Sequence, residues 1–422
     1  MIQRPRGTAD RLPAVAATWR LVTDTFQRQC ELRGFAPIST PTIERSELFT
    51  RTTGDATDLA QKEMYSFEDR GGDSLTLRSE GTAPVVRAYV QNGLHNLPQP
   101  VKLYYVTSIF RYDRPQAGRY REHHQIGAEA LGDSSPAVDA EVIDLLWSTY
   151  RSLGIDDVTL ELNSLGDPDT RPAYRRALVD YFTPLAERLD FDSRERLTSN
   201  PLRILDSKNP AVADLCADAP RSLDFLGESA RAHFDALQVL LESLEIPFAI
   251  NHRLVRGLDY YNRTVFEFVP PDAGSQSTVG GGGRYDYLAE LIGANHVPGV
   301  GFGSGIERVL LNLERCGLTA RASRTIDAYV APLAEAAVAD AMRLARHLRQ
   351  AGVAVECGFR AASPRSHLRR ASRSQARVAL LLGTREIERG VVALKPLNGA
   401  AQVEVRRADA VTQIQAVLAG DS

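Results

Sequence analysis

Two β-rich runs, VKLYYVTSIFRYD at 101–113 and HHQIGAEALG at 123–132, enclose a short stretch punctuated by Gly and Pro and loaded with arginine. A strand, a charged loop and a returning strand predict an antiparallel hairpin. The hairpin ties the two runs side by side and gathers the loop at one end, so it constrains everything packed around it. Upstream, Trp19, Leu21, Val22 and Phe26 recur at helical spacing over 14–33, and Gly34 supplies a stop. FAPISTPTIE at 35–44 reads as a strand, with Pro41 marking an edge or a bend. LTLRSEGTAPVVRAYV at 75–90 reads as a strand, a turn at Gly81 and a helix.

Downstream, 137–153 predicts a helix and VTLELN a strand, after which the character changes. From about 168 to 245 the periodicity is helical with little strand signal, which reads as an insertion. Strands return in FAINHRLVRGLDYYNRTVFEFV, followed by four glycines at 280–283, a helix at 285–292 and GVGFGSGIERVLLNLER. Residues 326–422 alternate strand and helix and read as a separate α/β unit with βαβ connections. The stretch 318–325 has no apolar periodicity and suits a linker.

At 422 residues the chain is long enough to bury a core without disulfides or metal. Cys30, Cys216, Cys316 and Cys357 lie far apart without C-x-x-C spacing, as reduced thiols of a cytoplasmic protein do. The eight histidines are dispersed, and the adjacent His123 and His124 would point to opposite faces of a strand, so no structural zinc or other metal site is expected. No leader-type apolar region opens the chain and no window approaches 18 apolar residues, so neither a signal peptide nor a membrane span is expected.

The net charge of −3 conceals an asymmetry. Residues 326–422 carry 14 Lys+Arg against 9 Asp+Glu, a net +5, and the rest of the chain carries −8. A basic terminal unit on an acidic body points to a nucleic-acid partner for that unit, or to nothing more than a solvated basic helix.

Three clusters carry chemistry. Arg111 ends the first run of the hairpin, and Asp113, Arg114, Arg119 and Arg121 follow in the loop. Guanidinium forks suit bidentate capture of phosphate or carboxylate, and the same loop would equally serve as a solvated basic turn. In RLVRGLDYYNRTVFEF, Arg256 and Arg263 flank Asp259, Tyr260 and Tyr261, which either line a pocket or pack as ordinary strand residues. The glycines at 301, 303 and 305 lack Rossmann spacing and a P-loop ending. Glu307 and Arg308 follow them and open a helix, so Arg308 could face a nucleotide laid against the glycine strand. Glu80 and Glu129, each beside a glycine in a strand–turn context, are the acidic candidates; singly, such carboxylates serve more often as caps or on the surface.

Together these residues carry a family resemblance. FRYDRP…GRYREHHQ resembles motif 2 of the class II aminoacyl-tRNA synthetases, GFGSGIER their motif 3, and the stretch around Pro41 sits where motif 1 would fall. LVRGLDYYNRTVFEF and GGGGRYD resemble the two signature blocks of the histidyl-tRNA synthetases, and KEMYSFED, LTLRSEGTA and HHQIGAEALG match that family too. The likeness runs from residue 2 to about 415.

The resemblance implies an α+β protein with an antiparallel class II sheet flanked by helices. It divides the chain into a catalytic core at 1–167 and 249–320, a helical insertion at 168–248 and a C-terminal α/β anticodon-binding domain at 326–422. It implies a ligase that uses ATP and Mg2+ to join L-histidine to the 3′ end of tRNA(His) in two steps, acting as a cytoplasmic homodimer. Arg111 and Arg256 would hold the α-phosphate and the histidine carboxylate as the catalytic pair. Arg119 and Arg308 would neutralise the outer phosphates, and Asp113 would face the adenine amino group. Glu80, Thr82 and Gln125 would bind the ammonium group, Glu129 and Tyr261 the ring nitrogens, and Tyr260 would line the pocket. Gln116 resembles the position that reads the extra 5′ guanosine of the tRNA, and Arg369, Arg370 and Arg373 would meet the tRNA from the basic helix. Three departures stand out: Asp113 where motif 2 has Glu, Ser79 where Pro is usual, and Tyr287 where Gly follows R-Y-D. Two rivals are a regulatory paralogue of the ATP phosphoribosyltransferase type and a class II synthetase for proline, threonine or glycine. The first typically lacks RGLDYY and the C-terminal unit, and the second lacks both signature blocks.

Overall fold

The structure is a computed structural model that describes residues 2–54, 62–116, 118–207, 209–271, 278–319 and 326–420. The chain forms two compact units, Met1–Ala322 and Ser323–Ser422. The first begins with α1 (Pro13–Leu32), whose Trp19, Val22, Phe26 and Cys30 are buried on one stripe. Pro13 opens it where no backbone donor is needed, and Gly34, at φ 71°, follows its end. The stretch 35–44 is not one strand, contrary to the expectation. β1 (Ala36–Pro37) and β2 (Ile43–Arg45) belong to different sheets, because Pro37 and Pro41 cannot donate to a ladder. Next come α2 (Ser46–Thr53), β3 (Tyr65–Glu68), β4 (Ser74–Leu77) and α3 (Thr82–Gln91).

The hairpin forms as expected, with β5 (Val101–Phe110) and β6 (Glu122–Leu131) in register from Val101↔Leu131 to Phe110↔Glu122. α4 (Pro136–Leu153) and β7 (Thr159–Ser164) lead into α5 (Arg171–Phe182), α6 (Phe191–Ser199), α7 (Pro210–Leu215) and α8 (Glu228–Ser243). The last of these packs on α4, and Phe234, Leu237 and Leu241 join the core of the body beside Val142 and Leu146. The chain then runs through β8 (Phe248–Ile250), β9 (Asn262–Val269), β10 (Gly280–Arg284), α9 (Leu288–Leu291), β11 (Gly299–Gly305) and α10 (Ile306–Arg315). Two further expectations are corrected. Residues 251–261 form a loop between β8 and β9 rather than a strand, and the helix expected at 285–292 shrinks to four residues.

β1, β5, β6, β11, β10, β9, β7 and β8 lie in that order in one sheet, antiparallel except at its two ends. Its layout follows from alternation. Ile126, Ala128, Phe302, Phe266 and Phe268 face α1, α4 and α8 and form the main core, where burying a side chain of that size contributes roughly 1.5–3 kcal/mol. The opposite face presents Tyr105 on β5, Gln125, Gly127 and Glu129 on β6, Gly301 and Gly303 on β11, Gly281 and Gly283 on β10, and Glu267 on β9, aligned across four ladders. The four-glycine run is therefore a buried central strand.

The second unit contains β12 (Ala328–Pro332), α11 (Val338–Gln350), β13 (Val355–Cys357), α12 (Pro364–Arg373), β14 (Val378–Leu382), α13 (Thr384–Glu388), β15 (Val391–Pro396), β16 (Val403–Arg406) and α14 (Ala410–Gly420). β13, β12 and β14 are parallel, as the alternating pattern predicts. β15 and β16 extend the sheet antiparallel, beyond the parallel strands that the alternating pattern predicts. Most of the linker expected at 318–325 lies outside the described residues.

Candidate active site

The glycine face forms the floor of the site. A Cβ on Gly301 would stand 1.7 Å from Glu129 Oε2, and one on Gly127 would lie 2.3 Å from the Tyr105 ring. Only glycine leaves room for both side chains to lie on the sheet. Glu129 is fully buried and takes three hydroxyl donors: Thr82 Oγ1 at 2.8 Å, Tyr105 at 3.0 Å, and Tyr285. Burial pushes its carboxyl up to about 8 although these donors oppose the shift.

Glu80 lies at the start of α3, where its two oxygens accept the N–H groups of Thr82 at 2.6 Å and Ala83 at 2.7 Å. It caps the helix, as a lone carboxylate beside a glycine commonly does, and it does so inside the site. Burial raises its pKa, with the two backbone donors and Arg111 pulling the other way. Tyr260 and Tyr261 are buried against each other, ring centroids 4.7 Å apart, and both feel the charges of Glu80 and Glu129. Gln125 lies beneath Gly303, where an added Cβ would come 3.3 Å from its amide.

Arg256 projects from the 251–261 loop onto β9. Its Nη1 pairs with Glu267, and its guanidinium carbon lies 5.5 Å from the Tyr261 ring centroid. Burial works against its charge, but Tyr261 and Glu267 outweigh it and hold the group cationic. Its Nε is buried and has no hydrogen-bond partner among the described residues, which leaves a donor for an anionic ligand. Arg308 donates to the Thr278 carbonyl at 2.7 Å and feels Arg119 and Arg111 as like charges, so the hairpin loop and α10 converge on one cationic cluster. Arg111 Nε is held by the Ser79 carbonyl at 2.7 Å. The shorter carboxylate of Asp113 pairs with Arg119 at 3.0 Å. Burial, reinforced by Arg111 and Arg308, pushes His123 beside them down to about 3, so it stays neutral.

Of the sequence candidates, Glu80, Thr82 and Glu129 stand in direct hydrogen-bonded contact, and Gln125, Tyr260, Tyr261 and Arg256 are gathered around them. Gln116 is exposed at the tip of the hairpin, and Arg369, Arg370 and Arg373 are exposed on α12 in the other unit. Sequence reasoning missed Tyr105, Tyr285, Glu267 and Glu307. Period-2 alternation along β5 and the aromatic of the GGGGRYD block were the available signals for the two tyrosines. Glu307 accepts the His124 N–H at 3.1 Å and faces its ring at 2.9 Å, which ties α10 to β6. Arg284, fully buried, is held by Asp139 and by Asp286 at 3.0 Å, and so fixes the strand end that aims Tyr285. Among the described residues no group of three His, Cys, Asp or Glu side chains forms a metal cage.

An antiparallel sheet with a glycine floor, an arginine at the first strand end of the hairpin and another at the head of the helix that follows the glycine strand defines the class II aminoacyl-tRNA synthetases. The family model described as "Histidyl-tRNA synthetase" matches residues 7–166 and 181–309, and the one described as "Anticodon binding domain" matches 327–417. A histidine–tRNA ligase of Dehalococcoides mccartyi is 46% identical over 405 residues, 96% of this chain and 97% of that one. One from Streptococcus gordonii is 46% identical over 420 residues, 99% of each. The apo crystal structure of S. aureus histidyl-tRNA synthetase superposes with a TM-score of 0.82 at 33% identity, covering 98% of this chain and all of that one. The chain belongs to the histidyl-tRNA synthetase family.

Proposed function

We propose that the chain is a histidine–tRNA ligase. The histidine carboxylate attacks the α-phosphorus of ATP, pyrophosphate leaves, and the 3′-terminal ribose hydroxyl of tRNA(His) then attacks the acyl carbon of histidyl-adenylate and expels AMP. The observation that carries this reading is the pairing of a buried carboxylate under three hydroxyls with an arginine cluster on the same sheet face. The carboxylate suits a small nitrogen base and the arginines suit a triphosphate.

The first step needs little base catalysis, because the nucleophile is already ionised at neutral pH; it needs alignment and charge stabilisation. Arg111 and Arg256 hold the reacting carboxylate and α-phosphate from opposite sides. Arg119 and Arg308 neutralise the outer phosphates, with Asp113 toward the adenine. Mg2+ enters as the counter-ion carried by the ATP phosphates, a cation that keeps several waters and takes few protein carboxylates. Glu80, Thr82 and Gln125 receive the ammonium group, and Glu129 and Tyr261 the imidazole, with Tyr260 walling the pocket. Discrimination comes from hydrogen bonds that another amino acid would leave unmade in a buried site. Purified protein therefore exchanges pyrophosphate into ATP when L-histidine is supplied and not with proline, threonine or glycine. Exchange with one of those and none with histidine would overturn the reading.

Gln116 and the α12 arginines are proposed tRNA contacts. Neutralising Arg369, Arg370 and Arg373 together weakens tRNA binding and lowers the slope of log affinity against log salt by about 2–3, at roughly 0.7–0.9 per phosphate contact. An unchanged slope would make α12 a solvated face. Among the described residues no helix is long and apolar enough to cross a membrane, and we place the enzyme in the cytoplasm. We also propose a homodimer built on the motif 1 region, where Pro41, Ile43, Leu48 and Ile292 line a surface groove. The Arg256 loop and the C-terminal unit together argue against a regulatory paralogue.

A further inference from the structure

The loop that carries Arg256 has no strand ladder of its own, yet three of its carbonyls accept from side chains of the helical segment. Arg203, in the turn Pro201–Ile204 after α6, donates Nη1 to the Arg256 carbonyl at 3.2 Å. Arg171, the first residue of α5, donates to the Asp259 carbonyl at 3.3 Å and to the Tyr261 carbonyl. Asn200 Nδ2 donates to Asp259 Oδ1 at 2.8 Å, and the Asp259 carboxylate is pressed so close to Gly54 that a Cβ there would stand 2.4 Å from it. Gly257 leaves the space beside Arg203, whose Nη1 would be 3.2 Å from an added Cβ. Tyr174, Leu178, Phe182 and Ile204 of the same helical segment share a core cluster with Tyr105, Tyr260, Tyr261 and Tyr285. Arg171 belongs to 167–180, the stretch across which the family match breaks.

We infer that Arg171, Asn200 and Arg203 are positioning residues for the activation step: the helical segment grips the loop at the main-chain carbonyls of residues 256, 259 and 261 and at the Asp259 carboxylate, and so sets where the Arg256 guanidinium lies. The side chain of Arg256 is fixed from the sheet through Glu267, and its backbone is fixed from the helices. Neither grip alone determines the reach of the guanidinium, because a charged donor to a carbonyl restrains a ladderless loop that would otherwise sample several conformations. This inference rests on the role proposed for Arg256.

The test is a double-mutant cycle in the full-length protein, read as histidine-dependent pyrophosphate exchange and as single-turnover adenylate formation. Arg203→Ala lowers kcat about tenfold or more, while KM for histidine and for ATP stays within about threefold, since misplacing a group by an ångström costs rate rather than ground-state binding. In the Arg256→Ala background the same substitution costs little, because the group it aims is gone. Arg203→Lys, which keeps a cation on a flexible stem, recovers part of the loss. A fall above about threefold that shrinks in the Arg256→Ala background supports the assignment. A smaller fall, or one that persists undiminished in that background, means that Arg203 acts only on the fold and overturns it. If thermal unfolding shows that Arg203→Ala does not fold, the same rule is applied to Asn200→Ala. The Arg256→Ala single variant separately tests the role on which the inference rests.

Discussion

Arg256→Ala lowers the rate of histidine-dependent pyrophosphate exchange by about 10³-fold or more, with the protein still folded. The size follows from what the guanidinium does. Its Nε–H is buried and has no hydrogen-bond partner among the described residues, in surroundings where water competes poorly. Charge accumulates on the α-phosphate as the histidine carboxylate attacks, and a cation already fixed at that point stabilises it without reorganising. The cost to the fold is small by comparison. The substitution removes the pair with Glu267 and the contact with the Tyr261 ring, and Glu267, already about one-fifth exposed, has the Thr278 hydroxyl at 2.6 Å as a second partner. Exchange kinetics and a thermal unfolding curve on one preparation decide the matter. A rate within about tenfold of the parent would remove Arg256 from the chemistry.

Glu129→Gln raises KM for histidine by about 100-fold or more and leaves KM for ATP nearly unchanged. A carboxylate accepts the imidazole N–H, whereas the glutamine amide presents a second donor against it and against Tyr105 and Tyr285. The free site holds this carboxyl neutral below about pH 8. Accepting an N–H favours the ionised form, so histidine binding releases a proton, and KM falls as pH rises from about 6.5 to 8. Glu129→Gln abolishes that slope. Stability has the opposite sign. A carboxyl raised from its ordinary 4.5 to about 8 favours the folded state fully below the lower value, and the advantage is lost as pH rises to the upper one. The ligand-free parent thus loses stability across that window relative to Glu129→Gln. A histidine KM that is flat with pH in the parent, or unchanged in the variant, would refute the ring-nitrogen role of Glu129.

The legible parts of the chain were those whose signals are local. The hairpin was readable because two runs of β-forming residues flank a Gly/Pro loop, and Arg111 falls at the junction. α1, α4 and α10 were readable because a period of 3.6 apolar residues survives in the sequence whatever packs on it. The glycines at 301, 303 and 305 were readable as a place of close approach, but not as a floor shared with 281 and 283. Those five lie on one face only because β10 and β11 pair in a particular register. The 251–261 loop reads as strand in the sequence because its aromatics mimic β propensity. In the structure it joins no ladder, and its carbonyls at 256, 259 and 261 and the Asp259 carboxylate are bound by Arg203, Arg171 and Asn200, 53 or more residues away in sequence.

The sequence by itself determined the motifs, the family they resemble and the charge that separates a basic terminal unit from an acidic body. These depend on residue type and spacing along the chain. Only the tertiary structure decided that Tyr105 and Tyr285 join Glu129, that Glu80 caps α3 within the site, and that the helical segment grips the Arg256 loop. Each of those contacts joins residues by hydrogen-bond geometry, which sequence spacing does not encode and strand register or helix packing does.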